Sequence, residues 1–217
     1  MATRGEMVKM LADTFNMTVT AVDVADRALS EAGLRTKSTR GRSATQMSAD
    51  DIVNDAIALA GNWGVKAAAP MVARLIEMPL EGGRVQGYSA SDDMPDEDDA
   101  PVLVANLSEK DIKSGPRLFP YPRKILQIQD QFGASFSEIL RVLASEDADQ
   151  LSNTMVTMIP ELPGASIEFT YRNHWLTIRF GKGVDDFFNP NLAECEGYTK
   201  IVLRHRRLVR LAEILKA

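Results

Sequence analysis

Between Leu80 and Pro101 the sequence stops supplying what a packed core needs. The stretch reads Glu-Gly-Gly-Arg-Val-Gln-Gly-Tyr-Ser-Ala-Ser-Asp-Asp-Met-Pro-Asp-Glu-Asp-Asp-Ala, with six carboxylates in the eight residues from Asp92 to Asp99. Like charges at that density repel one another, and too little apolar surface is present to offset the entropy of ordering. The reading is a flexible acidic linker over residues 81–115. It separates a helical domain, residues 1–80, from an α+β domain, residues 116–217. Acids alternate around Asp92, Met94 and Asp96 as in a calcium loop, but the glycine required at the sharp turn of an EF-hand is missing.

Ahead of the linker, helix signals recur. Thr3 and Glu6 form a capping-box pair followed by Met7, Met10, Leu11 and Phe15 on one face. Thr20 and Asp23 are placed to cap a second helix carrying Val22, Ala25 and Leu29, with Gly33 as its stop. Ser48 and Asp51 open a third, ended by Gly61, and a fourth is expected from about Pro70 to Met78.

The second half has a different texture. Pro116, Pro120 and Pro122 keep the chain extended, and a short helix is expected over Lys124 to Phe132. Ser135 and Glu138 read as a capping box leading a helix with Phe136, Ile139, Leu140 and Leu143 on one side. Ile167, Phe169 and Tyr171, then Leu176, Ile178 and Phe180, alternate with polar residues around Asn173-His174, which predicts a hairpin with one buried face. A third strand at Tyr198 to Arg204 and a final helix bearing Leu208, Leu211, Ala212 and Leu215 complete a small antiparallel sheet with helices. The fold class expected is therefore α+β, with an N-terminal all-α helix-turn-helix module.

The formal net charge is −5 and the isoelectric point about 5.2, so any contact with nucleic acid must come from a local patch. Cys195 is the only cysteine, which excludes an internal disulfide and a cysteine-based zinc site. No apolar run reaches the roughly 18–20 residues of a membrane helix, and Arg4, Glu6, Lys9 and Asp13 interrupt any signal-peptide core. A cytoplasmic protein without membrane contact, metal or cofactor is expected.

One local patch is clear. From Leu29 to Met47 no acid follows Glu31, while Arg35, Lys37, Arg40 and Arg42 supply four cations among Gly, Ser and Thr. Such a loop can neutralise phosphates or place an arginine in a minor groove. The run Leu29-x-x-x-Gly33-Leu34, the basic loop with Arg40-Gly41-Arg42, and a new helix after Met47-Ser48 resemble winged-helix and helix-turn-helix regulators. More loosely, they resemble those encoded by prophages and phage-derived gene-transfer clusters. The likeness covers residues 3–60. It implies that the helix from about Ala21 to Ala32 enters the major groove and that the loop acts as a wing. Asp23, Asp26 and Glu31 must then face away from phosphate, which leaves Thr20, Arg27 and Ser30 toward the DNA.

A second basic cluster lies near the C-terminus, where Lys200, Arg204, His205, Arg206, Arg207 and Arg210 are relieved only by Glu213 after Glu196. Arg206 and Arg210 share a helical face. The cluster suits a second phosphate contact, an acidic partner, or the chain's own acidic stretch.

Signals for catalysis are poor. His174 and His205 have no nucleophile near them in sequence, and Cys195 between Glu194 and Glu196 has its thiolate disfavoured. Gly181-Lys182-Gly183 lacks the other parts of a phosphate-binding loop. Trp63, Trp175, Phe187 and Phe188 read as core or interface anchors. The expectation is a non-enzymatic, sequence-specific protein for double-stranded DNA, a phage-type or bacterial transcriptional regulator. It would be a homo-oligomer, with the second domain available to a protein partner. A small-terminase-like packaging subunit and a protein adaptor without DNA binding are the alternatives.

Overall fold

The computed structural model describes residues 2–36, 46–87, 103–114, 120–162, 164–181 and 199–217. Lys37, Arg40, Arg42, the carboxylate run 92–99, Gly183, Phe187, Phe188 and Cys195 lie outside them. The described chain mixes helices with one antiparallel sheet, as an α+β reading requires.

Helix α1 spans Arg4–Phe15, and its capping box forms as the sequence predicts. Thr3 N–H donates to Glu6 Oε2 at 2.8 Å, and Glu6 N–H donates to Thr3 Oγ1 at 3.4 Å. Asn16, in the left-handed region at φ 54°, ends it. Helix α2, Val19–Glu31, is capped by Thr18 and not by Thr20, since Thr18 Oγ1 accepts from Ala21 N–H. Helix α3, Ala49–Gly61, opens on the Ser48/Asp51 box. Helix α4, Val65–Ile76, starts five residues before Pro70 and carries that proline inside. The proline has no N–H to give, so the bond that residue 70 would make to Lys66 O is missing from α4.

The sheet holds six strands in the order β2-β1-β5-β4-β3-β6, every neighbouring pair antiparallel. They are β1 (Leu80–Gly87), β2 (Leu103–Ser108), β3 (Ser152–Ile159), β4 (Gly164–Tyr171), β5 (His174–Phe180) and β6 (Ile201–Arg204). Helices α5 (Glu109–Ser114), α6 (Phe132–Ala144) and α7 (His205–Lys216) complete it. The β4–β5 hairpin and β6 follow the sequence reading, but the turn falls one residue earlier than Asn173-His174, at Arg172-Asn173 with Arg172 at φ 54°, and His174 opens β5.

Three expectations need correction. Residues 81–87 and 103–114, assigned to the linker, belong to β1, β2 and α5. The glycines that made β1 look unstructured suit its crowded place between β2 and β5. A Cβ on Gly82 would meet Leu107 O at 2.4 Å, and one on Gly87 would meet the His174 ring at 3.0 Å. Ser135 lies inside α6, which begins at Phe132. Its Oγ accepts from Gln129 N–H and donates to Gln129 O, fastening the preceding segment rather than capping with Glu138. Residues 123–125 form only a turn where a short helix was expected.

One face of the sheet is apolar, shown by the row Leu107, Gly83, Ile178, Ile167, Val156, Leu203 across all six strands. Helix α6 covers it, with Phe132 edge-on to Phe180 at 5.6 Å, and α7 packs beside α6 on β3 and β6. Helices α1 and α3 then pack on α7 and α6, so one hydrophobic cluster runs from Met7 and Leu11 through Phe136 to Phe169 and Leu211. The opposite face is polar. Its central row reads Asn106, Arg84, Thr177, Glu168, Met155, Arg204. No helix among the described residues is long and apolar enough to cross a membrane.

Candidate phosphate-binding site

The two basic stretches of the sequence meet opposite fates. Arg35 is 7% exposed and its Nε lies 2.6 Å from Asp26 Oδ1. The other oxygen of Asp26 accepts from Arg4 Nε at 2.6 Å, and Arg4 also reaches Asp23 at 2.5 Å. Arg35 Nη1 donates to Thr36 O at 2.7 Å, and Asp51 accepts from Thr36 N–H at 2.7 Å. These contacts fasten the chain after α2 onto α2 and α3, and Arg4 ties α1 to the same Asp26. Arg35 is thus a structural cation and not a phosphate ligand: Asp26 comes from α2 and Asp51 from α3, where a sequence window around Arg35 does not reach. Asp55 sits fully buried in the same cluster, and neither of its oxygens has a hydrogen-bond partner among the described residues. Burial raises its pKa well above the ordinary carboxylate value, and the negative charges of Asp26 and Asp51 add to the effect against Arg35 and Arg4.

The expected DNA-facing side of α2 is not cationic either. Thr20 lines an apolar groove of about 420 Å³ between α2, α3 and α4, together with Val24 and Val65. Arg27 is exposed, but Asp23 pairs with it at 2.6 Å. Ser30 is half-buried.

The C-terminal cluster is brought together. Val202 and Arg204 are two residues apart on β6 and so project to the same side, which is the polar face of the sheet. The chain turns directly into α7 at His205, whose Nδ1 accepts from Thr154 N–H at 3.3 Å and so directs the imidazole toward β3. Arg206 and Arg207 then occupy the first turn of α7, with Arg210 one turn on. Helix α1 packs alongside and contributes Thr14, while Phe15 lies under the Arg207 guanidinium at 5.2 Å. Thr14, Val202, Arg204, Arg206, Arg207 and Arg210 line a single concavity of about 430 Å³.

Among the described residues no acidic side chain lines that concavity, and none of its four arginines takes part in an ion pair. The helix itself adds to the field. No described side chain caps α7, and its first turn contains no acid. The positive pole of its dipole, roughly half an elementary charge, therefore lies at the same end of the helix as Arg206 and Arg207. Lys200 stands apart, exposed, where its charge acts on Glu168. Glu168 is a carboxyl whose pKa is raised mainly by burial. The sequence located the arginines of this site but not the contribution of α1. Thr14 and Phe15 lie at the far end of the chain from them, and only the α1–α7 packing brings them in. Compared with known protein families, curated proteins and solved structures, the chain matches none.

Proposed function

We propose that this chain binds the phosphate groups of DNA through the arginine concavity formed by β6, α7 and the end of α1. The observation that carries the reading is the set of four arginines around one depression with no carboxylate among its described lining residues. In a chain of net charge −5, such a concentration of guanidinium groups without counter-ions is the place where a polyanion gains most. Guanidinium forks match phosphate oxygens, and each charge-assisted bond contributes about 1.5–3 kcal/mol. The four cations meet no base-reading helix here, since the exposed side of α2 presents valines and an arginine already paired. Backbone contact is accordingly favoured over sequence readout by α2.

Fluorescence anisotropy of the full chain with mixed-sequence duplex DNA, titrated with salt, tests this. Binding is expected to weaken steeply with salt. The Arg206→Gln/Arg210→Gln variant should lower the slope of log affinity against log salt by about 0.9 for each phosphate that is no longer neutralised. An unchanged slope in that variant removes the assignment. Arg27→Gln should leave affinity and sequence preference as they are. A shift in preference there would instead restore α2 as a recognition helix.

A further inference from the structure

We infer that the concavity is built for a phosphomonoester, the terminal phosphate of a nucleic-acid end or of a free nucleotide, and not only for internal phosphodiesters. The inference rests on the phosphate-binding reading above and concerns which phosphate fits. Internal phosphates of one duplex strand succeed one another about every 3.4 Å of axis and are matched by cations strung along a surface. Here the cations converge. Arg206, Arg207 and Arg210 fall within little more than one turn of α7, and Arg204 meets them from the end of β6 around the same depression. A concavity of about 430 Å³ lies in the size range that encloses a nucleotide-sized group rather than a rod.

Charge leads to the same group. A phosphodiester carries one negative charge, whereas a monoester carries about −1.5 to −2 at neutral pH because its second pKa is near 6. Four guanidinium groups and an uncapped helix N-terminus make a site that one negative charge leaves strongly positive. The free protein shows the imbalance as frustration. Arg206 and Arg207 stand at the positive end of the α7 dipole, where acids are favoured, and neither an acid of the first turn nor a capping side chain relieves them. A dianion in the concavity relieves all of these repulsions together.

The test uses the full chain and a single-stranded oligonucleotide labelled at its 3′ end, with either a 5′-phosphate or a 5′-hydroxyl. At moderate salt the phosphorylated form should bind about tenfold tighter, as one added charge-assisted hydrogen bond contributes. That preference should shrink below about pH 6, where the monoester takes up its second proton, and vanish in Arg206→Gln/Arg210→Gln. Competition by AMP but not by adenosine assigns a free nucleotide as sufficient. Preference for the phosphorylated end without AMP competition assigns the nucleic-acid terminus. Equal binding of the two ends overturns the monoester inference while leaving phosphate-backbone binding intact, and binding of neither overturns both.

Discussion

Arg35 and Arg206 sit in sequence windows that look alike: each belongs to a run of cations with acids kept at a distance. In the folded chain Arg35 is buried against Asp26, and Arg206 stands exposed without a counter-ion among the described residues. The difference comes from what other elements deliver. Helices α2 and α3 bring Asp26, Asp51 and Asp55 to Arg35, so its charge is consumed in holding three helices together. Helix α1 brings Thr14 and an aromatic ring to α7 but no carboxylate that lines the concavity. A charge run therefore states only how many cations are available. Whether they serve the fold or remain open to a partner is decided by residues distant in sequence.

The largest effect should come from breaking the first arrangement. Arg35→Ala leaves Asp26, Asp51 and Asp55 inside with one fewer counter-charge, and removal of one partner from a buried pair costs about 3–5 kcal/mol. Urea unfolding reads this directly. A destabilisation below about 1 kcal/mol would mean that Arg35 is dispensable and that its neighbours are balanced by Arg4 alone. The matching change in the second arrangement, Arg206→Gln/Arg210→Gln, should stay within about 0.5 kcal/mol of the parent, as exposed substitutions do.

The same contrast marks what was legible beforehand. Local chemistry was legible: the Thr3/Glu6 and Ser48/Asp51 boxes start α1 and α3, and the alternation of Ile167, Phe169, Leu176 and Ile178 makes the β4–β5 hairpin. Strand β3 was not, because Thr154, Val156, Thr157 and Met158 are all buried and no period-two pattern survives when both faces are covered. Strand β1 was hidden by its glycines, whose small size is what its packed position requires. The C-terminal arginines were visible as a cluster. The strand end at Arg204 was visible too, but the arrival of Thr14 and Phe15 from α1 beside α7 was not.

Asp55 gives the buried cluster a pH signature that the arginine concavity lacks. Its pKa is raised in the folded state, so above the ordinary carboxylate value the native chain holds a proton that the unfolded chain has released. Stability then falls as pH rises from that value up to the folded pKa, the opposite of a salt-bridged aspartate. Asp55→Asn removes the titration while keeping the shape. The variant should gain on the parent progressively as pH increases through that window, as followed by thermal unfolding across pH. Parallel curves for the two proteins would show that Asp55 is ionised when folded and balanced by Arg35.

A change of the opposite sign should be the one most telling about purpose. Arg206→Glu replaces a cation with an acid at the positive end of α7, which removes a repulsion and adds an attraction, each about 0.3–1 kcal/mol at an exposed helix start. The free protein should become slightly more stable, while phosphate binding disappears. A residue that destabilises the fold yet is required for the ligand is what a binding site predicts, and the gain should fade in high salt as surface electrostatics are screened. If the variant is less stable instead, Arg206 holds α7 in place through interactions of its own. The concavity would then be one more set of cations committed to the fold, as Arg35 is.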